Sequence, residues 1–132
     1  MPYQTFMIAL IIAITLSCGF VQAQTADGEV YEMRTYTTND GKLDALHQRF
    51  REHTMRIFTK HGMGNVAYWI PSDTPNTLIY VISHASREAA QSNWQAFVQD
   101  PEWQAVYAAS IADGRLVKNI DSVFMTKTDY SP

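Results

Sequence analysis

Three groups of side chains in this sequence have types and spacing that invite chemistry. The first is Glu32, Arg34 and Tyr36, alternate residues of one extended run, which therefore share a face. A guanidinium beside a phenol can grip an anion or a carbonyl at the wall of a cavity. The same pattern also reads as a cross-strand ion pair at an interface between copies. The second group is the aromatic set Tyr68, Trp69 and Tyr80, rings with polar tips that can wall an apolar pocket. Tyr68 and Trp69 are neighbours in a strand, so one faces away from the other, and whichever faces the open side is the pocket candidate. Trp94, Trp103 and Tyr107 lie further on. Trp94 and Trp103 fall on helical apolar stripes, which places them in the core. The third group is Lys42, Arg49, Arg56 and Lys60, within about 40° of one another on a helical wheel. Such a row can receive an anionic headgroup or an acidic partner, or simply be a solvated flank.

Other chemistry is not assembled by any local motif. The histidines His47, His53, His61 and His84 contain no i, i+4 pair and no HExxH, so no metal site is expected and structural roles are. No glycine-rich phosphate loop, nucleophile elbow or catalytic triad is present, and no cofactor is expected. His61-Gly62-Met63-Gly64 reads as a helix stop followed by a strand start. Binding or interaction is therefore the leading functional class. The alternative is a small cofactor-free enzyme in which Arg34 orients a carbonyl or aromatic substrate and Tyr36 donates a proton or hydrogen bond.

The elements that must position these groups are set by periodicity. Glu29 to Thr37 is a strand, ended by Asn39-Asp40-Gly41, which can cap the next element. Lys42 to His61 is a helix with Leu43, Leu46, Phe50 and Ile57 on one stripe, Lys60 in its last turn and Gly62 after it. Gly64 to Pro71 and Thr77 to His84 form a hairpin around a polar turn. Ser86 caps a helix through about Val98, and Asp100-Pro101-Glu102 starts another that ends at Asp113-Gly114. Leu116 to about Thr128 is the closing strand. The order β-α-β-β-α-α-β is a ferredoxin-like α+β unit, a four-stranded antiparallel sheet with its helices on one face. The Met33 face of the first strand suits the helices, which would leave Glu32, Arg34 and Tyr36 on the open side. An uncovered sheet face must be solvated, bind something or meet a second copy.

The chain has 132 residues, a formal charge of −3 and one cysteine. Phe6 to Leu16 is an apolar run of signal-peptide length, and Val21-Gln22-Ala23 offers small residues at the −3 and −1 positions. The n-region carries no Lys or Arg. Cleavage after Ala23 is the expectation, with an uncleaved anchor or a lipid on Cys18 as alternatives, and it implies secretion or a periplasmic location. It leaves a short linker at 24–28 and one domain at 29–132. That mature chain carries all the charge and no cysteine, so neither a disulfide scaffold nor a thiolate nucleophile is available. Its acidic balance argues against nucleic acid, and no membrane contact is expected once the leader is gone.

The residues together resemble the NIPSNAP family. The resemblance opens on Val30-Tyr31-Glu32-Met33-Arg34-Thr35-Tyr36 and runs through Gly41-Lys42-Leu43, Phe50, His61-Gly62-Met63 and Tyr68-Trp69. It continues with Ser86-Arg87-Glu88-Ala89, Trp94, Phe97, Asp100-Pro101-Glu102-Trp103, Asp113-Gly114-Arg115-Leu116 and Thr128-Asp129-Tyr130-Ser131-Pro132. Lys127 departs from the Pro that the family often has there. The resemblance implies a dimeric α/β barrel, a homodimer in which two such units pair their open sheet faces, and possession of a small-molecule cavity in the barrel. It implies no established catalytic mechanism.

Overall fold

The computed structural model describes residues 28–132. The leader expected over residues 1–23, and the linker apart from Gly28, lie outside the described residues. Four strands build one antiparallel sheet: β1 (Val30–Thr38), β2 (Gly64–Trp69), β3 (Thr77–His84) and β4 (Val117–Met125). Their order is β2-β3-β1-β4, so the first strand occupies the interior and the last covers its free edge. In register, Arg34 lies between Tyr80 of β3 and Ser122 of β4. β2 ends at Trp69, short of Pro71, which has no N–H to give to a ladder.

Helices cover one face of the sheet. The second pair, α3 (Arg87–Gln99) and α4 (Pro101–Ser110), begins where the capping residues dictate. Ser86 Oγ accepts the Ala89 N–H at 3.0 Å, and Asp100 Oδ1 accepts the Glu102 N–H at 2.8 Å with Pro101 in the first turn. Ser86→Ala should lower stability by roughly 1 kcal/mol. In a domain of this size that is a fall of about 4–8 °C in melting temperature, readable by thermal denaturation. The Asn39-Asp40 pair does not cap the first helix: Lys42 stands at the cap position without a side-chain bond. Asn39 Nδ2 instead donates to the Arg115 carbonyl at 2.9 Å, and Asp40 Oδ1 accepts from Asn76 Nδ2 at 3.0 Å. Both side chains are spent tying neighbouring loops together.

The first helix is three segments: α1 (Leu43–Arg49), a π-helical turn (Phe50–Thr54) and α2 (Met55–Lys60). The Met55 N–H reaches the Phe50 carbonyl, and Thr54 Oγ1 donates to the Arg49 carbonyl at 3.2 Å. A turn of this kind holds an extra residue, so everything after it is rotated relative to an unbroken α-helix. That rotation buries Phe58 together with Ile57, where a constant 100° step puts only Ile57 on the stripe. Leu46, Phe50, Ile57, Phe58, Met63, Leu78, Tyr80, Ile82, Phe97 and Leu116 make the core between helices and sheet.

The two faces of the sheet are the reverse of the sequence expectation. Glu32, Tyr36 and Thr38 are buried beneath the helices, with Arg34 between them, while Tyr31, Met33 and Thr35 lie on the open face. The physical reason is that every strand in the sheet's interior carries apolar residues on both faces. What selects the inner face is the fit of Tyr80 and Ile82 to the helices and a complete set of hydrogen bonds for Glu32. The open face carries Met33, Ile79, Val81, Val123 and Met125, with Trp69 at its edge. Trp69 and Val123 are each about half exposed.

Candidate functional site

β1 delivers Glu32, Arg34 and Tyr36 to the space under α3, two residues apart and therefore in line. Glu32 is 1% exposed, and four donors meet its carboxylate. Arg34 Nη1 and Ser122 Oγ donate to Oε1 at 2.7 and 2.8 Å. Trp94 Nε1 donates to Oε2 at 2.7 Å, and His84 Nε2 lies 3.0 Å from the same oxygen. Burial pushes this carboxyl up, but the bonds from His84, Trp94 and Ser122, with the Arg34 charge, outweigh it and bring its pKa down to about 2. Arg34 is clamped as well: its guanidinium carbon lies 4.3 Å from the centre of the Trp94 ring and 5.6 Å from that of Tyr36. Its Nε is buried without a partner.

The tyrosines form the continuation of this line. Tyr80, fully buried on β3, donates its hydroxyl to Tyr36 at 2.9 Å. Tyr68 of β2 stacks on Tyr80 with centroids 5.3 Å apart, and Phe50 from the π turn packs edge-on to both. Burial, followed by the nearby Tyr36, raises the Tyr80 and Tyr68 pKa values above the ordinary phenol range, so both stay protonated as donors. Tyr68 donates to Asn65 Oδ1 at 2.6 Å. Where the stack meets the edge of the sheet, a recess of about 240 Å³ opens between Phe50, Met55, Tyr68, Trp69, Ile70 and Leu78. His47 borders it, with Nε2 buried and unpartnered.

The structure brings Glu32, Arg34, Tyr36, Tyr68 and Tyr80 to one face of the sheet, the covered one and not the open side expected of the first three, with Trp69 apart from them on the opposite face. The convergence is under the helices, where the Glu32 carboxylate is fully engaged by four donors while Arg34 has one hydrogen bond, to Glu32. No spacing in the sequence points to His84, Trp94 and Ser122 as partners of Glu32. The available signal is Glu32 itself, a carboxylate inside an apolar strand, which must find donors to remain charged there.

The four cations all turn toward α4 and the residues that flank it, where each meets a partner within the fold. Arg56 pairs with Glu102, and Lys60 Nζ meets Asp100 Oδ2 at 2.7 Å and Glu102 at 3.5 Å. Lys42 Nζ donates to the Asp113 carbonyl at 2.9 Å, and Arg49 is buried against α4. Asp100 also holds His61 Nε2 at 2.7 Å, and hydrogen bonds from Lys60 and then His61 keep its carboxyl well below the usual range. This cluster fastens α2 to the start of α4.

Among the described residues, no group of three or more His, Cys, Asp or Glu is placed to hold a metal ion. Among the same residues, no helix is long and apolar enough to cross a membrane. A comparison with the curated proteins finds no match to the chain. Among solved structures it is similar to a NIPSNAP family protein of unknown function from Agrobacterium tumefaciens, with 21% identity and a TM-score of 0.69 over 81% of this chain and 95% of that one. A NIPSNAP-like domain protein from Burkholderia xenovorans aligns at 17% identity and a TM-score of 0.70, over 80% of this chain and 90% of that one. A cofactor-independent oxygenase from Streptomyces nogalater shares the fold at 17% identity and a TM-score of 0.55, over 81% and 99% of the two chains. The NIPSNAP family model matches residues 31–132, which spans every element from β1 to the C-terminus. On that match, the chain belongs to the NIPSNAP family.

Proposed function

We propose that this protein is an exported, homodimeric binding domain of the NIPSNAP family, in which two copies meet through their open sheet faces. The observation that supports this most is the composition of that face. Met33, Ile79, Val81, Val123 and Met125 make an apolar surface on a sheet whose other side is already filled. Such a surface on a small chain is better covered than wet. Residues 1–23 supply the export signal in this reading, removed after Ala23.

Sedimentation of the purified protein tests the pairing. Wild type should run at twice the chain mass. Val123→Lys, at a site half exposed in the single chain, should run as a folded monomer with an unchanged far-ultraviolet spectrum. A monomeric wild type at micromolar concentration overturns the proposal. The intact mass of protein recovered from the exported fraction tests the leader, and a mass that includes residues 1–23 rejects cleavage.

A second reading, a small cofactor-independent enzyme, is favoured by one observation: the Tyr36–Tyr80 hydroxyl pair lies beside Arg34 and behind the recess at Tyr68. The oxygenase that shares the fold points the same way. In this reading Arg34 orients a carbonyl or aromatic substrate and Tyr36 supplies the proton. Turnover of a candidate substrate that Tyr36→Phe abolishes in a folded protein would select it over binding alone.

A further inference from the structure

We propose that the groove between the first helix and α4 is a binding site for a small monocarboxylate, held by the guanidinium of Arg49. Arg49 is the last residue of α1 and is 6% exposed. A cation so deeply placed is normally met by a carboxylate. Arg34 has Glu32 and Arg56 has Glu102, but no acidic side chain among the described residues pairs with Arg49. Its Nη1 donates to Ser110 Oγ at 3.1 Å, while its Nε is buried with no partner. The rings of Trp103 and Tyr107 flank the guanidinium carbon at 5.2 and 5.5 Å. They hold the fork in place without satisfying its N–H groups.

The space beside it suits a ligand. The groove has a volume of about 560 Å³, within the range of small-molecule sites. Its walls are short apolar side chains, Ala45, Ala105, Val106 and Ala109, and Arg49 and Ser110 are the polar groups on the α4 side. Glu52 lines the other side. Its carboxylate accepts from Gln48 at 3.1 Å and lies 3.8 Å from His53, both of which also line the groove. One available guanidinium facing one carboxylate across the groove favours a single negative charge on the ligand and disfavours a dianion. The small walls favour an apolar body behind it. The π turn begins at the residue after Arg49, and such turns are frequent where a helix is shaped for a ligand. The groove belongs to the helix layer, so the proposal stands independently of pairing through the sheet.

Benzoate is the probe, with benzyl alcohol as its uncharged counterpart, followed by amide chemical shifts of the purified protein. Benzoate should move the Ala105, Ala109 and Ser110 signals, and benzyl alcohol should bind far more weakly. Arg49→Gln should weaken benzoate about ten- to a hundredfold, the loss of a charge-assisted bond. Ala109→Trp fills the groove while keeping Arg49 in the chain and should block benzoate even if Arg49→Gln does not fold. Groove signals of the wild type that ignore benzoate overturn the proposal, as does equal binding by a folded Arg49→Gln. Tighter binding of sulfate than of benzoate rejects the monocarboxylate assignment. Sedimentation of the same samples reads the sheet-face pairing separately.

Discussion

Glu32→Gln is expected to lower the stability of the fold by about 3–5 kcal/mol, because it removes one partner of a buried ion pair and leaves the other. Arg34 would keep its place between Trp94 and Tyr36 with no negative charge to answer its own. The amide would also put its N–H₂ at one of the two oxygen positions, facing either Arg34 and Ser122 or Trp94 and His84. Against a typical total of about 5–15 kcal/mol, this is a large fraction. The same residue sets a pH dependence. Its folded pKa of about 2 lies below the ordinary value of 4.5, so its contribution is present above pH 4.5 and is lost as the pH falls toward 2. The full loss across that window is about 3 kcal/mol. Urea titrations at pH 7, 5, 4, 3 and 2 should show wild type weakening over the acid range. Glu32→Gln should start lower and lack that part of the decline. Parallel acid curves for the two proteins would show that the carboxylate is not ionised by virtue of this network.

Tyr80→Ala should be similarly severe, again about 3–5 kcal/mol, since a fully buried ring is removed from the centre of the core. Tyr36, Phe50, Phe58 and Tyr68 all lose a ring contact at once. Tyr80→Phe separates the hydroxyl from the ring. It keeps the packing and deletes only the bond to Tyr36, for an expected loss of about 1 kcal/mol. Denaturant midpoints give both values. A Tyr80→Phe loss as large as that of Tyr80→Ala would move the weight from packing to the phenol pair.

The elements themselves are legible in the sequence because their signals are local. Ser86 and Asp100-Pro101 announce helix starts through bonds reaching two or three residues, and the structure keeps both. The β3 range, Thr77–His84, is likewise as expected. Which face of β1 turns inward is not legible. That choice rests on Trp94 and Ser122, which lie 62 and 90 residues from Glu32 in the chain, and no periodicity encodes it. The row of cations shows a different limit. A helical wheel aligns Lys42, Arg49, Arg56 and Lys60, but the residues that meet them, Asp113, Ser110, Glu102 and Asp100, lie forty or more positions further on. Tyr68, Trp69 and Tyr80 show the mixed case. Their alternation is readable, and it puts Trp69 opposite the other two, but the side that each takes is decided by the whole sheet.

The place of β1 has a consequence in time. It is made first, yet its two neighbours are β3, some fifty residues later, and β4, at the end of the domain. A chain still being synthesised can form the β2–β3 hairpin and its helices early, through contacts that are near in sequence. It cannot complete the bonds around Glu32 until Ser122 has emerged. Non-local pairing of this kind is slow, because a long loop must close before any contact repays it. The last strand to appear therefore locks the first, and the domain stays open to unfolding or to passage elsewhere until its final residues arrive.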